Sequence, residues 1–322
     1  MPRSRTEILS PDPAGLSRAA DLLNDGRLVA FPTETVYGLG ADARNPDAVA
    51  RVYSAKNRPR SNPLIVHVAN ALDALALVRF DPVAERLAET FWPGPLTLVL
   101  PFRQNPVLSK SFAAGLPTIA IRVPDHDIAA GLLAECGHPV VAPSANRSGK
   151  ISPTSSADVL EELDSRIDAV IDGGPTAFGL ESTVVRTSSN GRAIELLRPG
   201  AIPRETIERL VEIRVGRHSP SDLLLSPGQL KSHYAPAVRL RMNVDAPEAN
   251  ELFLGFGDTY GRERDNLSRS GDLEEAASRL FSMLRRLDAE AQSCGKSIAV
   301  APVPSHGIGA AINDRLERAS RA

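Results

Sequence analysis

Apolar and polar positions follow two rhythms along the chain, and the switches between them mark its elements. Residues 6–9 read as a short strand, and LSRAADLLNDG (16–26) has helical spacing with Gly26 placed to stop it. LVAFPT (28–33) is an apolar run of strand length that gives way to a polar loop. In NPDAVARVYSAK (45–56), Val49, Val52 and Tyr53 share one helical face, and Asn45 or Asp47 supplies a cap. LIVHV (64–68) is a strand, and PVAERLAETFW (82–92) is a helix stopped by Pro93 and Gly94. LTLVLP (96–101) and TIAIRVP (118–124) are strands, DHDIAAGLLAEC (125–136) a helix and PVVAPSA (139–145) a strand ending in a polar loop. SSADVLEELDSRI (155–167) is a capped helix. AVIDGG (169–174), STVVRT (182–187) and AIELLRPG (193–200) add strands, and IPRETIERLV (202–211) adds a short helix.

Interleaved strands and helices give a mixed α/β layout, and the short turns between several strands argue against a purely parallel, doubly wound sheet. GRHSPSDLLLSPGQLKSHYAPAVRL (216–240) breaks the rhythm, being rich in Ser, Pro, His and Gly, and reads as a linker. Beyond it, LRMNV, ELFLGFGD, LEEAASRLFSMLRRLDAEA, SIAVAPVP and GIGAAINDRLERAS run strand, strand, helix, strand, helix. The expected division is a first domain over 1–215, a linker over 216–237 and a smaller α/β domain over 238–322.

With 322 residues the chain can bury a sizeable core, and 42% apolar with 24% charged residues is an ordinary globular composition. A formal net charge of -2 offers no global basic field for nucleic acid, but leaves room for a local basic pocket with a small anionic ligand. The two cysteines, Cys136 and Cys294, have no metal-ligand spacing, which argues against a disulfide framework and for a reducing cytosol. MPRSRTEILSPDPAG has no apolar h-region, so no secretion signal is expected, and no apolar run approaches the roughly 18 residues of a membrane span.

Several polar clusters sit at strand ends. FPTETVYGLG (31–40) carries Thr33, Glu34, Thr35 and Tyr37, with Gly38 and Gly40 permitting close backbone approach or a sharp turn. It reads as an ordinary turn or as one wall of a ligand site; the spacing of a P-loop is absent. SAKNRPRSNPLIV (54–66) crowds Lys56, Arg58 and Arg60 before a strand, with Asn62 beside them and Pro59 and Pro63 stiffening the loop. Such side chains suit phosphate oxygens, although a solvated charge run has the same composition. His67 shares a strand face with Ile65, as a core histidine or a ligand contact. Arg122, on one face with Thr118 and Ala120, needs an anion or carboxylate partner. APSANRSGKISPTS (142–155) groups Ser144, Asn146, Ser148, Gly149, Ser152 and Thr154 in a loop suited to phosphate or ribose. No G-x-S-x-G elbow makes a serine nucleophile there. GLESTVV (179–185) repeats the pattern at Ser182, and LLRPG (196–200) offers Arg198. Six scattered histidines suggest no protein-built metal site; magnesium carried by a nucleotide is the expectation. The residues alone reach a binder of a polyanion and an amino acid, and no further.

Taken in order, PTETVYGLG, KNRPRSNPLIVH, PGPLTLVL, TIAIRVP, APSANRSG, GLESTVV and LRPG resemble the YrdC/TsaC-type family, the threonylcarbamoyl-AMP synthases, in their long two-domain form. SPGQLKSHYAP is similar to that family's linker, and NLSRSGDLEEAA with AINDRLERA to its C-terminal domain. The resemblance implies a YrdC-like twisted mixed sheet with flanking helices, plus a smaller Rossmann-like α/β C-terminal domain. It implies a nucleotidyltransferase joining L-threonine, bicarbonate and ATP, with Mg²⁺ accompanying the nucleotide, into L-threonylcarbamoyladenylate and pyrophosphate. The product passes to a separate complex that modifies tRNA, so neither direct tRNA binding nor a membrane is required. By the same resemblance Thr35, His67, Arg122, Ser182 and the backbone at Ala142 surround threonine. Lys56, Arg58, Asn62, Thr118, Ser144, Asn146, Ser152 and Arg198 line the nucleotide site, Lys56 and Arg58 neutralising phosphate charge, and Tyr234 closes over it. The competing reading is a non-catalytic nucleotide- or RNA-binding module using the same basic concavity.

Overall fold

The computed structural model describes residues 5–103, 108, 110–188, 193–217, 226, 233–259 and 265–321. Most of the expected linker, 218–225 and 227–232, therefore lies outside the described residues.

The first part of the chain builds one mixed sheet of eleven strands. In chain order these are β1 (Glu7–Leu9), β2 (Val29–Phe31), β3 (Gly38–Asp42), β4 (Ile65–His67), β5 (Leu96–Pro101), β6 (Thr118–Arg122), β7 (Val140–Val141), β8 (Ala169–Ile171), β9 (Thr183–Thr187), β10 (Ile194–Arg198) and β11 (Val215–Arg217). They lie in the order β1-β8-β2-β3-β7-β4-β6-β5-β9-β10-β11. β4 and β6 run parallel, while β7 is antiparallel to both β3 and β4, so the centre of the sheet is mixed, as the short turns suggested.

Helices cover both faces. On one, α1 (Pro13–Asn24) and α5 (Asp127–Cys136) bury Leu22, Leu23, Leu132 and Leu133 against Val29, Phe31 and Val140. On the other, α2 (Pro46–Lys56), α4 (Pro82–Phe91) and α7 (Arg204–Val211) bury Val49, Val52, Leu87 and Ile207 against Leu39, Val66, Leu98, Ile121 and Val185. Each such side chain contributes about 1.5–3 kcal/mol. Caps fix where the helices begin: Asp12, Asn45 and Asp81 accept backbone N–H bonds, each followed by a proline in the first turn. α3 (Ala71–Leu77), capped by Asn70, and α6 (Ser156–Leu163), opened by a Ser155–Asp158 capping box, complete this region.

The polar cluster at 31–40 ends in a strand: from Gly38 the chain forms β3, antiparallel to β2. Its glycines serve close packing: a Cβ on Gly40 would meet Phe31 Cε1 at 2.9 Å and Val29 O at 3.0 Å. α3 went unread.

The C-terminal unit is a parallel three-stranded sheet, β12 (Leu240–Met242), β13 (Glu251–Leu254) and β14 (Ser297–Val300), ordered β12-β14-β13. α8 (Leu273–Cys294) makes the crossover from β13 to β14, and α9 (Gly309–Ala319) packs beside it. This is the Rossmann-like layering expected. Its apolar core also takes in Val36, Ile151, Leu180 and Tyr234, so it is continuous with the loops at the end of the large sheet. At that junction a Cβ on Gly179 would strike Ser278 O at 2.4 Å. Both cysteines are free thiols, and among the described residues no helix is long and apolar enough to cross a membrane.

Candidate active site

The C-terminal ends of the parallel neighbours β4 and β6 place His67 and Arg122 directly opposite one another. Alternation turns both away from the Val66 and Ile121 core, onto the face shared by Ile65 and Ala120. The Arg122 guanidinium donates from Nη1 to Thr35 Oγ1 at 2.9 Å and from Nε to Gly94 O at 3.2 Å. Its Nη2 lies 2.6 Å from Glu34 Oε1, and that ion pair is buried on both sides. Arg122 thus has the carboxylate partner its strand position demanded. Burial, and then the charge of Arg122, push the His67 pKa down to about 3, so its imidazole is neutral. Its Nδ1 sits 3.3 Å from Ile65 O.

Across the cavity lie two guanidiniums of different standing. α2 ends at Asn57, whose left-handed φ of 51° turns the chain so that Arg58 N bonds back to Tyr53 O. Arg58 then donates from Nε to Asn62 O at 3.1 Å, and from Nη2 to Asn62 Oδ1 at 2.6 Å and Pro63 O at 2.8 Å. Arg198, at the end of β10, donates from Nε and Nη2 to Ser182 O and from Nη2 to Ser182 Oγ. Both arginines are more than nine-tenths buried, and neither has a carboxylate ion pair among the described residues. Burial pushes the Arg58 pKa down to about 10 and also lowers that of Arg198. A desolvated cation without a counter-ion is a site that favours an anion.

The loop after β7 closes a third side. Leu39 N bonds Pro143 O and Ala145 N bonds Tyr37 O, tying the PSAN stretch to β3. Lys56, fully buried, donates from Nζ to the carbonyls of Ser144 and Asn146, and desolvation with the charge of Arg58 lowers its pKa well below the usual range. Asn146 Nδ2 donates to Arg147 O and Lys150 O, each at 2.8 Å. Ser152 Oγ donates to Glu181 Oε1 at 2.6 Å, and Ser182 Oγ lies 2.7 Å from Thr97 Oγ1.

One cavity is lined by Thr35, Arg58, His67, Arg122, Ala142, Ser144, Ser182, Arg198 and Tyr234 among the residues singled out from sequence. Lys56, Asn62 and Ser152 do not line it but hold Ser144, Arg58 and Glu181, which do; Asn146 does not line it either and bonds within its own loop. Thr118 stands at the far end of β6, paired with Pro101, about 13 Å along the strand from Arg122. Two titratable lining residues escaped the sequence reading as individuals, Glu181 and His233, although both fall inside quoted stretches. Burial favours a raised Glu181 pKa, but Arg315, Arg198, Ser152 and His233 together bring it down to about 2.

The cover comes from the C-terminal side. Tyr234 adopts a left-handed φ of 61°, stacks on Phe281 of α8 at 5.4 Å between ring centroids, and is fully buried. Ala235 N bonds Gly149 O at 2.8 Å, which joins this segment to the loop after β7. The lining offers a metal ion one carboxylate, Glu181, already ion-paired, and among the described residues no cluster of three acidic, His or Cys groups could hold one.

Comparison with known proteins identifies the family. The model of the Sua5–YciO–YrdC family, described as "Telomere recombination", matches residues 21–200. A second, described as "Threonylcarbamoyl-AMP synthase, C-terminal domain", matches 202–321. A threonylcarbamoyl-AMP synthase from Bacillus subtilis is 40% identical over 336 aligned positions, covering 98% of this chain and 95% of that protein. One from Pyrococcus abyssi is 40% identical, covering 94% and 93%. The crystal structure of P. abyssi Sua5 complexed with L-threonine superimposes with a TM-score of 0.88 at 36% identity, covering 98% of each chain. With both domains matched and nearly the full length covered, the chain belongs to the Sua5–YciO–YrdC family, in the form that carries the threonylcarbamoyl-AMP synthase C-terminal domain.

Proposed function

We propose that this protein is an L-threonylcarbamoyladenylate synthase, a nucleotidyltransferase that joins L-threonine, bicarbonate and ATP and releases pyrophosphate. The observation that carries the reading is the pair of buried guanidiniums, Arg58 and Arg198, which have no carboxylate ion pair among the described residues and face the Thr35–His67–Arg122 wall across one cavity. One side is prepared for phosphate and the other for an amino acid.

Arg122 receives the threonine carboxylate, with Thr35, Ser182 and the backbone at Ala142 completing that pocket. His67, held neutral, presents a polar edge without repelling the amine. The amine nitrogen attacks the carbon of carbon dioxide, the dehydrated form of bicarbonate, and loses a proton to give the carbamate; attack on bicarbonate itself breaks a C–O bond and releases water. A carbamate oxygen then attacks the α-phosphorus as pyrophosphate leaves in line. Arg58 and Arg198 stabilise the phosphate oxygens, and because their hydrogen bonds to Asn62, Pro63 and Ser182 fix them in advance, little reorganisation is needed. Ser144 contacts the nucleotide from the cavity wall, while Asn62 and Ser152 act on that side by holding Arg58 and Glu181, and Asn146 by offering its carbonyl to Lys56. Lys56 acts by clamping the carbonyls of Ser144 and Asn146, which sets the loop against α2. Mg²⁺ brought in on ATP screens the remaining phosphates. Tyr234 excludes water, on which the labile carbamate and mixed anhydride depend.

The product supplies N6-threonylcarbamoyladenosine formation on tRNA by a separate transfer complex, in the cytosol. The test is pyrophosphate release from ATP with and without threonine and bicarbonate, with serine alongside and with magnesium chelated in a further arm. Turnover that needs threonine, bicarbonate and magnesium together is the expected result. Tight ATP or RNA binding without turnover would overturn the reading in favour of a binding module.

A further inference from the structure

Arg315, on α9 of the C-terminal unit, has no exposed surface at all. In the sequence it looks like one more basic residue on an amphipathic helix. In the structure it leaves its own unit and reaches the catalytic wall. Nε donates to Glu181 Oε2 at 3.0 Å, and Nη1 donates to Pro199 O at 2.7 Å and to Asp314 Oδ2 at 2.9 Å. The guanidinium carbon stands 5.3 Å over the Tyr234 ring, and Nη2 is buried without a hydrogen-bond partner. Its neighbours are therefore the loop before β9, the turn after β10 and the covering tyrosine.

Glu181 makes that placement consequential. Its carboxylate lines the cavity, and its other oxygen accepts from Ser152 Oγ at 2.6 Å. A naked carboxylate beside a triphosphate site would repel the nucleotide and would draw Arg198 away from it. Buried charges feel each other strongly because little water intervenes. Arg315 supplies the opposing charge, while the fork of its guanidinium fixes where the carboxylate points.

We propose that Arg315 is a positioning residue for the nucleotide half of the site: it neutralises and orients Glu181 and seats Tyr234, making the C-terminal unit part of the ATP site. The inference rests on the synthase reading, and wild-type turnover checks that reading separately. The experiment measures steady-state KM for ATP and for threonine in full-length R315M, R315K and E181Q/R315M, with thermal melts of each. R315M is expected to raise KM for ATP at least tenfold with KM for threonine within twofold, and R315K to give an intermediate rise because the charge remains without the fork. E181Q/R315M, which removes both charges together, is expected to return KM for ATP to within about threefold of wild type. The double variant strands neither member of the Glu181–Arg315 ion pair, so it keeps the question answerable should R315M fail to fold. Equal changes in both KM values, a loss confined to kcat, or a KM for ATP in E181Q/R315M raised tenfold or more would overturn the proposal.

Discussion

Replacing Arg58 with methionine separates binding from folding, because the two effects differ greatly in size. In the free protein the Arg58 charge costs stability: its pKa falls from 12.5 to about 10 on burial, which corresponds to roughly 3 kcal/mol against the charged form. The depressed value means that this cost is present at every pH below about 10 and is relieved only above it. Methionine removes that cost but strands acceptors. Asn62 Oδ1 and Pro63 O lose their donor, whereas Asn62 O keeps the Tyr53 hydroxyl at 3.2 Å. Stranded acceptors cost about 1–3 kcal/mol each. The terms nearly offset, so the melting temperature is expected to move by about 5 °C or less. Binding has no such offset. Truncating one partner of a buried, hydrogen-bonded charge contact costs about 2–5 kcal/mol, a rise in KM for ATP of roughly 30-fold to a few thousand-fold. The assay is pyrophosphate release against ATP at saturating threonine and bicarbonate, paired with a thermal melt. A folded R58M whose KM for ATP stays within threefold of wild type would refute the assignment of this guanidinium to phosphate.

Other consequences follow from the same contacts. R122M should raise KM for threonine by about 30-fold or more while leaving KM for ATP unmoved; because it also abandons the Glu34 carboxylate, it should lose about 3–5 kcal/mol of stability that E34Q/R122M regains. Recovery of threonine binding along with stability in that double variant would show that Arg122 only supports Glu34. His67 and His233 both titrate near 3 when folded, against an ordinary 6.5, so protons favour the unfolded chain. Stability should be full above about pH 6.5 and fall toward pH 3, by up to about 1.4 kcal/mol per pH unit for each histidine. Denaturant melts at pH 7, 6 and 5 test this, with H67Q expected to flatten the slope and an unchanged slope counting against the assignment. Gly200→Ala should abolish activity and lower stability by a few kcal/mol, since its Cβ would meet Ser182 C and Thr183 N at 2.4 Å and push the Ser182–Arg198 contact apart. Near-normal kinetics in a folded G200A would contradict that.

How much of this was legible in the sequence depended on whether a residue's task is local. Asn45 caps α2 because its amide reaches nitrogens two and three residues on, and the pattern of Val49, Val52 and Tyr53 states the buried face directly. The alternation in LIVHV and TIAIRVP placed His67 and Arg122 on one face each, and the parallel register then set them side by side. β3 was not legible, because its glycines exist to admit Phe31 and Ala142, and a residue's absent side chain carries no β-propensity. Lys56 shows a subtler limit. Its sequence context announces a cation near phosphate, but only the fold reveals that its ammonium is spent on two carbonyls 88 and 90 residues away. Arg315 lay furthest from view: its spacing from Ala311, Ile312 and Ala319 puts it on the apolar face of α9, but its carboxylate partner is 134 residues away. Nothing local marks a charge whose partner lies in another unit. The two arginines assigned to different halves of the site make the same point. Arg122 and Arg58 are both buried basic residues near strands, and what distinguishes them is a carboxylate, Glu34, that the topology brings to one and withholds from the other. The convergence of Arg58 and Arg198 on one cavity, buried and with no carboxylate ion pair among the described residues, is a property of the assembled sheet, and it suits that cavity to phosphate.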